Sequence, residues 1–197
     1  MDNLLKIYPA LSACRADIEQ AIEVILSVYQ NGGKVLLCGN GGSAADCDHI
    51  AGELLKGFLL ARKVTDPRVP EELRDKLQGS LPAVSLTSAT AALTACLNDL
   101  DPDIAYAQLL YGLATPNKDL LIAISTSGNA KNVCHATRLA KSLGLQVVSL
   151  TGEGGGMLAT LADVAIRVPA NETFRVQEYH LPVYHHICAA VEAALFA

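Results

Sequence analysis

The chain has 197 residues, of which 51% are apolar and 5% aromatic, and it carries a formal net charge of −5. That length suits one domain, and the apolar half excludes a disordered chain, which needs low hydrophobicity and high net charge. An acidic chain without a Lys/Arg cluster is a poor partner for nucleic acid or for an anionic membrane surface, although backbone N–H groups at a helix start can still hold a phosphate.

Leu4, Leu5, Tyr8, Leu11, Ile18, Ile22, Ile25 and Leu26 recur at helical spacing, so residues 2–30 are expected to form one long amphipathic helix, ended by Asn31, Gly32 and Gly33. Residues 34–38 read as a short buried strand. Gly39, Asn40, Gly41 and Gly42 form a turn, and Ser43 is expected to cap a helix running to about Leu60. Residues 61–80 are rich in charge and contain Pro67 and Pro70, which marks a surface insertion with a short helix near 70–77. Strand and helix then alternate: strand 82–86, helices 88–97 and 103–114, strand 120–124, a turn through Ser125 to Asn129, helix 130–143, strand 145–150, a glycine turn and short helix, strand 164–168, and a last helix over 174–196. The strands are continuous apolar runs, as in a parallel sheet covered on both faces, so the fold class is α/β. The most apolar stretch, Leu81 to Leu97, contains Pro82 and several Ser and Thr, and reads as strand plus helix rather than a membrane span.

Six cysteines, at Cys14, Cys38, Cys47, Cys96, Cys134 and Cys188, form no C-x-x-C pair. They read as small buried hydrophobes kept reduced in a cytosol. With no basic leader followed by an apolar run, a cytoplasmic location is expected.

In an open α/β sheet, ligands sit past the carboxyl ends of the strands. Two turns belong there. In Gly39–Ser43 the glycines admit a ligand close to the backbone, and the following helix offers free N–H groups. In Ser125–Asn129, three hydroxyls and a glycine at a helix start make an anion nest with side-chain donors; simple helix capping would need only one of those hydroxyls. Residues 39–44 also fit G-x-G-x-x-A, but a dinucleotide site wants an acidic residue about 20 residues on, ending the second strand. Here that strand starts only near Pro82, so no nucleotide cofactor is expected. Asp46, His49 and Glu53 share one helix face, although a solvated polar stripe would look the same. The last helix carries Gln177, Glu178 and three of the chain's five His, namely His180, His185 and His186. A histidine cluster points to proton transfer or metal binding, whereas His186 and His135 read as packed or exposed rings.

Taken in order, the residues Cys38–Asp46, His49 with Glu53, Ala92–Ala95 with Asn98 and Asp99, Ile124–Asn129, Leu150–Gly152, Ile166–Pro169, and Gln177 and Glu178 with His185 resemble the SIS-domain (sugar isomerase) phosphoheptose isomerases over nearly the whole chain. The resemblance implies one SIS domain, a flavodoxin-like three-layer sandwich with a parallel five-stranded sheet, and an aldose–ketose isomerisation of sedoheptulose 7-phosphate to D-glycero-D-manno-heptose 7-phosphate. It implies a homotetramer with active sites shared between subunits. By the same resemblance Asn40, Gly41, Gly42, Ser43, Asn98, Asp99, Ser125, Thr126, Ser127 and Gln177 bind the phosphorylated sugar, and Glu53 and His185 are the catalytic pair. His49, Glu53, Gln177 and His185 match a Zn2+ site seen in some members, one ion per subunit.

The chemistry asks for these residue types. Moving a carbonyl from C2 to C1 takes a proton off one carbon and returns it to the next; a carboxylate can shuttle it while an imidazole serves the oxygens. A zinc ion would polarise those oxygens but would weaken Glu53 as a base. The chain departs from the family at Ala130, where a phosphate-contacting Ser is usual, at Leu100–Asp103, in the length of the 61–80 insertion, and at Pro182 inside the last helix, where a kink is expected. The competing reading is a non-catalytic SIS protein that binds a sugar phosphate or a partner protein, against which the retention of Glu53 and His185 speaks.

Overall fold

The computed structural model describes residues 1–197. Its elements in chain order are α1 (Asp2–Ile7), α2 (Arg15–Gln30), β1 (Val35–Gly39), α3 (Gly42–Leu55), α4 (Glu71–Arg74), β2 (Ala83–Ser85), α5 (Thr90–Asp99), α6 (Ala105–Leu113), β3 (Leu120–Ile124), α7 (Lys131–Ser142), β4 (Gln146–Thr151), α8 (Gly156–Leu161), β5 (Val164–Arg167) and α9 (Thr173–Phe196). Short 3-10 turns at Pro9–Cys14, Leu86–Ser88 and Pro102–Ile104 join some of them.

The five strands pair in parallel in the order β2-β1-β3-β4-β5, with Leu37 opposite Ile122 and Ile122 opposite Val148 at the centre. Side chains alternate across a strand, and the core divides accordingly. Val35, Leu37, Leu120, Ile122, Ile124, Val148 and Leu150 pack under α2, α3 and α9. Leu36, Cys38, Leu121, Ala123 and Val147 pack under α6, α7 and α8. Every residue of β1 and β3 is buried. Such a run forms where both faces are covered, each Val, Leu or Ile contributing roughly 1.5–3 kcal/mol by leaving water. This is the expected α/β sandwich.

The expected long N-terminal helix is present, but it begins later. Helical pattern from residue 2 is interrupted at Tyr8, whose φ/ψ of −122°/72° is not helical, because Pro9 constrains the residue before it and lacks an N–H. The apolar stripe survives the interruption: Leu4, Leu11, Ile18 and Ile25 all reach the same core. At the other end of the chain α9 remains helical on both sides of Pro182.

α3 stops at Leu55 rather than near Leu60, and the cause lies in the 61–80 segment. Most of that segment is exposed, as expected, but Arg62 is only 1% exposed. Its guanidinium donates to the carbonyls of Glu53 (2.9 Å) and Leu54 (2.6 Å), closing the end of α3 with a side chain in place of another turn. Its Nε donates to Glu192 Oε1 at 2.7 Å, and Phe196 lies 5.0 Å from its guanidinium carbon. Glu192, also fully buried, accepts from the amides of Phe58, Leu59 and Leu60. One buried ion pair therefore fastens the end of α3 and the chain after it to α9.

The six cysteines are all buried and unpaired, as the sequence indicated. No helix is long and apolar enough to cross a membrane.

Candidate active site

The strand order reverses direction between β1 and β3, and both candidate turns leave the sheet there, at the carboxyl ends of those two strands. Gly41 takes φ +59°, a conformation that side chains with a Cβ rarely adopt. A Cβ on Gly42 would come within 2.4 Å of Gln177 Nε2, so the bare backbone is what lets α9 approach the turn. The N-cap of α3 is Gly41, with no side-chain cap; Ser43, expected as the cap, lies one residue inside the helix and is buried. The turn is held from below by the Tyr106 hydroxyl on the Gly39 carbonyl.

A cleft of about 300 Å3 opens between the two turns. Asn40, Gly41, Gly42 and Ser43 line one side, Ser125, Thr126 and Ser127 the other, and Gln177 closes it from α9. The starts of three helices border it, at Gly42 of α3, Ala130 before α7 and Thr173 of α9. The amides of Thr126 and Ser127 take no part in the backbone hydrogen-bond network. No Lys or Arg lines the cleft. Helix N-termini, free amides and hydroxyls supply an anion site without a cationic side chain. Ala130 stands in the lining as a methyl group.

Asn132, on the first turn of α7, went unnoticed in the sequence. Its amide and that of Asn40 exchange two hydrogen bonds of 2.9 and 3.0 Å, clasping the two turns together across the cleft. Thr173 was missed as well. Asn98 and Asp99 do not reach this cleft: they sit at the exposed end of α5, hydrogen-bonded to each other at 2.7 Å. A single copy of the chain thus unites eight of the ten residues matched to sugar binding and leaves these two apart.

Further along the same two helices is a second cluster. His49 and Glu53, one turn apart on α3, bring His49 Nε2 to 3.2 Å from Glu53 Oε1. His185 of α9 places its Nε2 3.4 Å from that same His49 nitrogen. Glu53, at 15% side-chain exposure, is mostly shielded, and Lys56 reaches its other oxygen at 3.4 Å. Burial, reinforced by the neighbouring His49, holds His185 below the usual histidine range, so the neutral ring is favoured. Phe58 lies against the His185 ring, 5.5 Å between centroids. No hydrogen bond joins Gln177 to this trio, and as they stand His49, Glu53 and His185 form a chain through His49 rather than a closed cage around a cation.

Tyr184, also missed in the sequence, backs His49. Its hydroxyl lies 3.0 Å from His49 Nδ1 and 3.2 Å from Asp46 Oδ1. Burial pushes the Tyr184 hydroxyl well above the phenol range, helped by Asp46, so it keeps its proton. Burial also raises Asp46, against the lowering effect of the Tyr184 hydrogen bond and of His49. The signal was available: Tyr184 follows Gln177 by seven positions and so shares its face of α9. Of the other histidines, His180 is fully buried with Nε2 3.3 Å from the Thr151 carbonyl; burial takes it down to about 4, and it packs as a neutral ring. His186 is partly exposed and touches neither site.

Known proteins resemble this chain over most of its length. A SIS domain family model matches residues 3–152. The phosphoheptose isomerase of Aneurinibacillus thermoaerophilus is 42% identical over 179 residues, 91% of this chain and 82% of that one. That of Helicobacter pylori strain P12 is 38% identical over 183 residues, 93% of this chain and 86% of the relative. The solved structure of phosphoheptose isomerase GmhA from Neisseria gonorrhoeae superposes with a TM-score of 0.80 at 33% identity, covering 98% of this chain and 94% of that one.

Proposed function

The chain belongs to the phosphoheptose isomerases of the SIS-domain family, and on that premise we propose that it interconverts sedoheptulose 7-phosphate and D-glycero-D-manno-heptose 7-phosphate with Glu53 and His185 as its catalytic pair. The observation that carries this reading is the convergence of Glu53 and His185 on one nitrogen of His49, at 3.2 and 3.4 Å, on the two helices whose starts border a phosphate-ready cleft. The spacing supports a long substrate: along α3, His49 and Glu53 lie roughly 10 and 16 Å from Gly42 at 1.5 Å per residue, the scale of an extended sugar phosphate.

In this reading Glu53 removes a proton from C1 of the ketose, and the C1–H electrons form the C1–C2 double bond while the carbonyl electrons move to O2. His185 takes the O1 hydroxyl proton and delivers it to O2. Glu53 then returns its proton to C2, the C1 carbonyl closes, and the aldose leaves with atoms and charge balanced.

The phosphate half of the reading has its own test. Ser127→Ala is expected to weaken binding of the phosphorylated sugar by about tenfold to a hundredfold, the worth of a hydrogen bond to a charged group, and to leave the unphosphorylated sugar nearly unaffected. Calorimetric titration of both ligands checks this, and equal losses remove Ser127 from the phosphate site.

We further propose one Zn2+ per subunit, held by His49, Glu53, Gln177 and His185, in a cytoplasmic homotetramer whose neighbouring copy brings Asn98 and Asp99 to the sugar. Two spacings support the metal, since His49 to Glu53 at 3.2 Å and His49 to His185 at 3.4 Å match the roughly 3.3 Å between ligands about 2.05 Å from a tetrahedral zinc, whereas Gln177 stands outside the trio, at the cleft. Bound there, zinc would polarise the sugar's oxygens. The exposed Leu97 and Leu100 beside Asn98 support a subunit contact, and the unpaired cysteines support a reducing compartment. Native mass spectrometry of protein purified without chelator should show four chains with about four zinc ions; metal-free monomers would reject both proposals.

A further inference from the structure

The two turns that border the cleft are held unequally. The turn after β3 is fixed to its neighbours. Gly152 N donates to the Thr126 carbonyl at 2.9 Å, Asn129 Oδ1 accepts from the Met157 amide at 3.0 Å, and Asn129 Nδ2 donates to the Ser127 carbonyl at 3.0 Å. The turn after β1 is exposed at Asn40, Gly41 and Gly42. Beyond Gly39 and its own helix, this turn's hydrogen bonds are the two that Asn40 exchanges with Asn132. That pair has a defined direction. Val133 N donates to Asn132 Oδ1 at 2.9 Å, so that atom is the oxygen, and Asn132 Nδ2 is the atom that reaches Asn40 Oδ1. Asn40 Nδ2 donates one hydrogen to Asn132 Oδ1 and keeps the other free, on a residue that lines the cleft. Water competes for the bonds of an exposed pair, so the two add little to stability. What they fix is the position of one turn against the other.

We propose that Asn132 is a positioning residue for the phosphosugar: through Asn40 it holds the first turn at a fixed span from the second, so that the donors of both turns converge on one anion before it arrives. This deepens the reading of the cleft as the phosphate site and rests on it. With no Lys or Arg in the lining, the cleft relies on short-range hydrogen bonds, and these hold an anion well only where the donors are already in place. Without the clasp the exposed turn is free to move, and the ligand must supply its ordering. Asn132 itself does not line the cleft, so its effect passes through Asn40. Neither asparagine is hydrogen-bonded to Glu53 or His185, so the effect falls on binding and leaves the proton transfer alone.

Asn132→Ala removes the clasp and keeps α7, since alanine's helix propensity offsets the lost bond to Val133 N. Phosphorus NMR titration with inorganic phosphate reads the cleft without turnover. The variant should bind phosphate about threefold to tenfold more weakly than the wild type, the worth of one neutral hydrogen bond. Its KM for sedoheptulose 7-phosphate should rise by the same factor, with kcat within about twofold and a melting temperature within about 3 °C of the wild type. Asn40→Ala tests the route. Because Asn132 acts through Asn40, adding Asn132→Ala to Asn40→Ala should weaken binding by no more than about twofold further. Unchanged phosphate affinity in Asn132→Ala, or losses that multiply in the double variant, overturn the proposal. So does a fall in kcat together with the melting temperature, which marks a merely structural role. No phosphate binding by the wild type removes the cleft reading and the proposal with it. Failure of the isomerase reading would appear separately, as no turnover in a wild type that binds phosphate and binds it more weakly, as stated, once Asn132 is replaced.

Discussion

Replacing Glu53 with Gln is expected to lower kcat by about 10²–10⁴-fold, the usual contribution of a general base, while sugar-phosphate binding survives. Glutamine keeps the size and one acceptor oxygen but cannot hold a substrate proton. Binding should persist because the anion is held elsewhere, by the turns at Asn40–Ser43 and Ser125–Ser127, in a cleft that Glu53 does not line. The fold should persist as well: the side chain of Glu53 touches His49 and Lys56, whereas the backbone carbonyl that Arg62 grips is unchanged by the substitution. Turnover assays beside calorimetric titration separate the two effects. Turnover close to the wild-type rate would mean that the base is another group.

The largest effect on stability is expected at the Arg62–Glu192 pair. Both side chains are fully buried, and between them they satisfy the carbonyls of Glu53 and Leu54 and the amides of Phe58, Leu59 and Leu60. Glu192→Gln leaves a buried guanidinium without its counter-charge, and Arg62→Met leaves a buried carboxylate in the same position. Removing one partner of such a pair costs about 3–5 kcal/mol. In a chain of this size that is a fall in Tm of roughly 6–20 °C. The pair also has an acid limit. Burial alone would raise Glu192, but the three amides and the Arg62 guanidinium outweigh it and hold the carboxyl below its ordinary 4.5. A depressed folded value means that this stabilisation is complete above the unfolded carboxylate's range and is lost as pH falls through the folded one. Thermal melts of both variants check this, and a shift under 2 °C in each would contradict the account. Because Arg62 donates to the backbone of Glu53 itself, loosening the pair should also disturb the catalytic geometry.

The sheet was readable from sequence because its strands are buried on both faces and contain almost nothing polar. Residues 120–124 form β3 as expected, residue for residue. The turns after β1 and β3 were equally visible, since glycines and consecutive hydroxyls at a strand's carboxyl end have few other uses. His49 and Glu53 were visible as an i, i+4 pair. What escaped was long-range pairing. Arg62 sits in a run of charges that reads as solvated, and its carboxylate lies 130 residues away. Tyr184 looks like one more amphipathic position on α9 until the fold brings Asp46 and His49 against it, 138 and 135 residues distant. Asn132 meets Asn40 only because β1 and β3 are neighbours. Asn98 and Asp99 resemble site residues in sequence, yet no element of the same chain carries them to the cleft. The interruption at Pro9 was local and legible; the continuous apolar stripe masked it.

The central claim is that a carboxylate on α3 carries a proton between adjacent carbons of a phosphosugar bound beside it. Incubation of the wild-type protein with sedoheptulose 7-phosphate in deuterated water, followed by NMR of the products, reads that step at the atom concerned. The account predicts an aldoheptose 7-phosphate bearing solvent deuterium at C2, and no such product from Glu53→Gln. An aldose with only the original hydrogen at C2, as a direct hydride shift would leave, or no aldose at all, would contradict it.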